Sequence, residues 1–336
     1  MPKEYAHWTL AEKVYLAIDN PALKSVIAEN KGLYRLGAVV PDTPFYSYLG
    51  KHRGEFLSAG WRLHGQDGEN TLAFIPLLNR AHNLWHDDRQ KDPILAFVLG
   101  IVTHIIADSQ YHPFIYYFSG SPLFPDPQVA QKAAFRHRMI ETFLDLHYMQ
   151  NYSLLCQGNL GDVLRSIDFE KTRLHSLLRD LFFECENFPL PAIKRAVWRH
   201  KVIQSKFFQS SYLSILRFAD QLPFMNLDDL IALFYPKHRD IPVPFFHRPF
   251  RYRHPVSGKQ FQQSLPDLED RVTKVCRGIF SDLESLRREK SSSILVDNLQ
   301  GPSAYTGLYG SKSEAMIYFE IQDVEKLLLG ESEAHN

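Results

Sequence analysis

The segment 92–111, DPILAFVLGIVTHIIADSQY, constrains the fold of this chain more than any other. Nine consecutive apolar residues, Ile94–Val102, run into a stretch that carries His104 and Asp108. That run is far short of the ~20 residues needed to cross a bilayer. It reads as a helix that has to be buried in a protein core. Spacing of four puts His104 and Asp108 on one helical face. An imidazole and a carboxylate in apolar surroundings are costly unless something satisfies them. A metal ion would do so, since neutral His and ionised Asp are standard zinc ligands; a hydrogen bond between the two is the simpler alternative. Pro113 predicts that the helix ends near His112, because the residue before a proline avoids the α region.

A second pair repeats the spacing. His137 and Glu141 stand four apart in the next helical segment, FRHRMIETFLDL, and His112 sits at the exit of the first. Elsewhere the chain also reads as helix. Thr9 and Glu12 have the spacing of a capping box for a helix to about Ile18. Helical patterns follow at 21–31, 54–63, 69–86, 128–150, 160–186, 191–220 and 226–235. Ser264 with Asp267 caps a long helix to about Lys290, and a last helix is expected over 313–329. The Pro- and Gly-punctuated stretches 37–50, 121–127, 235–258 and 301–312 read as irregular. Alternating strand patterns are scarce, so the expected class is all-α.

Composition narrows function by exclusion. Lys+Arg and Asp+Glu both number 38, so no broad surface for nucleic acid is expected. Cys156, Cys185 and Cys276 are too few for a disulfide framework. The start, MPKEYAHWTLAEKVY, has neither the basic start nor the apolar stretch of a secretory signal, and the expected location is cytoplasmic.

Taken in order, several segments resemble the zinc-dependent phospholipase C family, whose fold is shared by S1/P1-type nucleases. They are AHWTLAEKVYLAI with His7, GAVVPD with Asp42, GWRLH with His64, AFVLGIVTHIIADSQYHP with His104, Asp108 and His112, and HRMIETFLD with His137 and Glu141. HPVSGKQFQQSLPDL (254–268) is similar to a family segment that carries no ligand. The resemblance is specific over 1–150, expected to be a metal-binding helical core, and looser to about 285. Residues 151–336 are expected to be a helical part packed on that core.

The resemblance implies a cluster of two or three Zn2+ ions. Asp42, His64, His104 and Asp108 would hold the first, His112, His137 and Glu141 the second. His7 with a bridging Asp108 would hold the third. Family members complete that third site with an N-terminal tryptophan, where this sequence has Met1-Pro2. Three divalent ions against the carboxylates of Asp42, Asp108 and Glu141 leave an excess of positive charge, which favours a phosphate-bearing substrate. The implied activity is hydrolysis of a phospholipid or small phosphodiester by a zinc-bound hydroxide, with Asp42 orienting or deprotonating the water. An S1/P1-like nuclease would share every ligand, and a metal-binding helical protein without catalysis is the alternative from another class.

Other residues have plainer readings. Asp145 could orient a ligand His or be solvated. His52, His82, His86, His147, His175 and His200 are expected on the surface or on helix faces. Phe45, Tyr46, Tyr48, Tyr111, Phe114, Tyr116 and Tyr117 could wall an apolar pocket or pack in the core. HRPFRYRH (247–254) reads as a solvated loop.

Overall fold

Helix α5 (Lys91–Ser119) is the axis of the fold. The computed structural model describes residues 3–47, 50–66, 91–155, 158–170, 172–183, 188–222, 227–236, 241–289, 301–321 and 323–330. The helix expected over 69–86, with His82 and His86, lies outside these residues, as do Tyr48, Cys156 and Cys185. Every residue from Ile94 to Ser109 is buried. The helix is long and apolar enough to span a membrane, yet nearly all of it is buried within the fold. Around it pack α1 (Glu4–Leu16), α2 (Pro21–Glu29), α3 (Lys31–Gly37), α6 (Pro127–Asn151) and α12 (Leu265–Glu289).

The outer helices are α4 (Arg53–Leu63), α7 (Leu160–Arg165), α8 (Leu174–Phe183), α9 (Leu190–Lys206), α10 (Ser210–Asp220), α11 (Asp228–Ile231) and α13 (Val324–Leu329). The class is all-α, with a single two-stranded sheet among the described residues. That sheet was not expected. It pairs β1 (Phe250–Arg253) antiparallel with β2 (Gln260–Gln263), with Phe250 opposite Gln263. HRPFRYRH is therefore half strand, with Phe250 and Tyr252 buried and Arg251 and Arg253 outward. Four residues give too short an alternation to stand out from sequence alone.

The helices expected over 160–186 and 191–220 each form as two, α7 with α8 and α9 with α10, and that over 226–235 is reduced to α11. Three further boundaries also differ from expectation. α1 begins at Glu4, a turn before Thr9, whose hydroxyl instead donates back to the Tyr5 carbonyl. Its free first turn is capped from another helix: Asp145 on α6 accepts the Ala6 N–H at 2.5 Å. Pro113 does not end α5, which continues to Ser119. A proline there deprives the Ser109 carbonyl of its helical donor. Gly307 passes over that notch so closely that a Cβ would fall 2.4 Å from the Ser109 oxygen. Among the described residues of 313–329, only a 3-10 turn (Ser313–Ala315) and α13 form. At α12 the expected cap is present: Ser264 N–H and Oγ both bond the Asp267 carboxylate.

The crossing of α3 on α5 places the loop that follows α3. Gly37 and Gly100 meet with no side chains between them. A Cβ on Gly100 would fall 2.1 Å from the Tyr34 carbonyl, and one on Gly37 2.2 Å from the Phe97 carbonyl. Close approach puts the Ala38 carbonyl beside His104, and a 3-10 turn (Val40–Tyr46) then carries Asp42 inward. Gly100→Ala is expected to push the helices apart and cost about 1–3 kcal/mol, the usual range for overpacking. Denaturant unfolding checks this; unchanged stability would show that the crossing has slack.

Candidate metal centre

Eight side chains predicted from sequence converge from five parts of the chain. α1 supplies His7, the 3-10 turn Asp42, and the end of α4 His64; α5 supplies His104, Asp108 and His112, and α6 supplies His137 and Glu141. All eight are buried. Three groups within the set could each hold an ion, their ligand atoms lying within 4.8 Å of one another: His7, Asp42 and His104; His64, His104 and Asp108; His112, His137 and Glu141.

The donor separations fit zinc. His64 Nε2 and His104 Nε2 each face Asp42 Oδ1, at 3.3 and 3.4 Å, and Asp108 Oδ2, at 3.6 and 3.4 Å. The two Nε2 atoms are 3.1 Å apart. A tetrahedron with bonds of about 2.0–2.1 Å has edges of about 3.3 Å. Behind this group His7 stacks on His104 at 4.1 Å between centroids and points Nε2 at Asp108 Oδ1, 3.3 Å away. In the second group His137 Nε2 and His112 Nε2 lie 2.8 and 3.7 Å from Glu141 Oε1.

Backbone carbonyls fix which ring nitrogen faces inward. His64 Nδ1 donates to the Gly60 carbonyl at 2.6 Å, His104 Nδ1 to Ala38 at 2.9 Å, and His112 Nδ1 to Ala304. A carbonyl only accepts, so each proton sits on Nδ1 and each Nε2 lone pair faces the cluster. The Nε2 atoms of His64 and His104 therefore meet lone pair to lone pair, which requires positive charge between them. Asp42 Oδ1, both Asp108 oxygens, both His7 nitrogens and His112 Nε2 are buried without a hydrogen bond. Buried polar atoms are rarely left so, and cations at these groups would satisfy the lone pairs among them.

Charge states point the same way. Burial would raise the Asp42 and Asp108 carboxyls, yet neighbouring imidazoles, His104 foremost, hold both below the ordinary carboxylate range. Burial lowers His7, His112 to about 3, and His137. At neutral pH these three rings are neutral and ready to ligate. His104 is the exception: burial opposes its charge, but Asp108 and Asp42 raise its pKa. A proton there would supply part of the positive charge that the carboxylates demand.

The cluster forms the floor of a cleft of about 290 Å³. Asp42, His112, His137 and Glu141 line it, while Asp108 is wholly enclosed. Phe45, Leu57, Trp61, Tyr116, Leu233 and Tyr305 make the apolar wall. Of the aromatics weighed from sequence, Phe45, Tyr46 and Tyr116 reach the cleft, whereas Tyr111 and Phe114 are core. Tyr117 bonds Glu320 instead.

The sequence profile described as zinc dependent phospholipase C matches residues 6–185, more than half of the chain. The chain belongs to the zinc-dependent phospholipase C family. No curated protein and no solved structure matches it. All eight candidate ligands fall within the matched residues.

This family member also uses groups outside that span. Ala304 accepts from His112, and its own N–H donates to the His64 carbonyl at 3.0 Å. Next to it Tyr305 lines the cleft, its ring 6.2 Å from those of both His64 and His112. Sequence reasoning missed both, since a backbone carbonyl leaves no mark and Tyr305 stands in a plain Gly/Ser-rich stretch. His200 was also missed. Expected on the surface, it is 1% exposed and bridges Thr43 Oγ1 and Glu4 Oε1, each at 2.9 Å. Tyr46 stacks on it and donates to the same Glu4 oxygen. The turn that bears Asp42 is thereby tied to α1, which bears His7.

Asp145 touches no ligand ring. It is fully buried, bonding Ala6 N–H and the Tyr235 hydroxyl, each at 2.5 Å. Asp108→Asn is expected to strip metal and abolish turnover while the helices persist. Asp145→Asn, which keeps an acceptor for Ala6, should retain metal and lose at most about 10–100-fold in activity. Elemental analysis and circular dichroism check both, and equal metal loss would contradict the assignment.

Proposed function

We propose that the protein is a zinc-dependent phosphodiesterase of phospholipase C type, hydrolysing a phospholipid or a small phosphodiester. The observation that carries this reading is the seating of three metal-competent groups at and beneath the floor of an apolar-walled cleft. Asp42, His64, His104 and Asp108 would hold one ion, and His112, His137 and Glu141 another. His7 with Asp108 would contribute to a third. When bound, zinc supplies Lewis acidity, lowering the pKa of water and neutralising charge at phosphorus.

The chain's own residues do the rest. Asp42 is the one carboxylate of the first group that reaches the cleft, and its low pKa keeps it anionic. It orients or deprotonates the attacking water opposite the leaving oxygen. Arg138 lines the cleft and offers a cation to the phosphate oxygens. Burial keeps the Tyr305 phenol protonated, so it remains a donor. Phe45, Leu57 and Trp61 give an apolar path for the glycerol side of a lipid, and Trp61 at the rim is 45% exposed.

One observation favours a nuclease instead. Tyr116 and Tyr305 stand nearly parallel in the cleft, 25° between planes and 6.3 Å between centroids, a spacing near that of a ring sandwich. A side-by-side assay with added zinc separates the readings. Phosphatidylcholine should give diacylglycerol and a phosphorylated headgroup, and a chromogenic phosphodiester should also be cleaved. Cleavage of single-stranded DNA alone would transfer the site to the nuclease reading.

A further inference from the structure

A second cleft, of about 300 Å³, lies between the segment that follows the Asp42-bearing turn and the face of α9. Lys51 and Arg53 line it from one side, Arg195 and Arg199 from the other, and no carboxylate does so among the described residues. In a chain whose charges cancel overall, that is a marked local excess of cations. Arg195 and Arg199 stand four apart on one helical face, so both side chains reach the same wall of the cleft. Ala192 and Ala196 share that face and leave the floor open.

Two further features aim at the same space. Ser47 lines the cleft, is 1% exposed, and its hydroxyl has no hydrogen-bond partner. A buried hydroxyl is costly without a partner, and an anion oxygen would accept from it. The eleven-residue helix α4 opens here: its N-cap, His52, gives no side-chain cap, and its first residue, Arg53, lines the wall. A helix start presents N–H groups and the positive end of its dipole to an anion. Guanidinium forks fit tetrahedral oxyanions with two parallel hydrogen bonds.

We infer that this cleft binds a phosphoryl oxyanion, held by Arg53, Arg195, Arg199 and Ser47. The same chemistry is offered by a free phosphate and by the headgroup of an anionic lipid. The site is separate from the metal centre, sharing no lining residue with the cleft above the metal ligands.

The test is calorimetric titration of the metal-loaded, full-length protein with inorganic phosphate. Arg195→Gln/Arg199→Gln should weaken a saturable binding component about tenfold or more, and Ser47→Ala should weaken it less. Metal content and melting temperature should not change. Phosphate held at the metal centre would survive in both variants, so only the lost component counts. Superimposable isotherms for wild type and both variants would overturn the proposal. Flotation with phosphatidylcholine vesicles, with and without phosphatidylglycerol, assigns the source. Loss of binding by the double variant only on vesicles with phosphatidylglycerol identifies a lipid headgroup. Equal flotation of the two proteins, beside a lost phosphate component, identifies free phosphate.

Discussion

A fully buried carboxylate ringed by three imidazoles, two of which are turned by backbone carbonyls so that their Nε2 atoms face it, calls for positive charge at its centre. Asp108 is that carboxylate, facing His7 through one oxygen and His64 and His104 through the other. Removing such a charge from water costs several kcal/mol even after relaxation. Neighbouring hydrogen bonds do not offset this, because the ring protons of His64 and His104 are held outward by the carbonyls of Gly60 and Ala38. The geometry is that of a site built around positive charge, and zinc is the ion that the family match supplies.

Much of the architecture serves to keep those lone pairs converged. The glycine contact between α3 and α5 brings in the Ala38 carbonyl, and the turn beyond it brings in Asp42. Glu4, His200 and Tyr46 bind that turn to α1, whose own first turn is capped by Asp145 from α6. On the other side, Gly307 fills the notch left by Pro113, and the same loop delivers Ala304 to His112 and Tyr305 to the cleft. The chain beyond the family match thus supplies part of the site and not only a support for it.

What could be read from sequence was what side-chain chemistry and helical spacing encode. His104 with Asp108, and His137 with Glu141, are visible because four-residue spacing fixes one face before any tertiary contact exists. His7, Asp42 and His64 have no such local signature and were legible only through resemblance. The class was legible because apolar periodicity persists along the chain. What escaped depends on contacts distant in sequence. Pro113 reads as a helix end until Gly307 is seen against it, and Thr9 reads as a cap until Asp145 is seen to cap a turn earlier. Burial of His200 follows from its meeting Glu4, 196 residues away.

The central claim is that these eight side chains are organised around metal ions. Crystals of the protein reconstituted with zinc, measured above and below the zinc absorption edge, test it most directly. The account predicts one anomalous peak among Asp42, His64, His104 and Asp108 and another among His112, His137 and Glu141. It would be contradicted by zinc-soaked crystals with no anomalous peak at either position and with the same side chains hydrogen-bonded to one another instead.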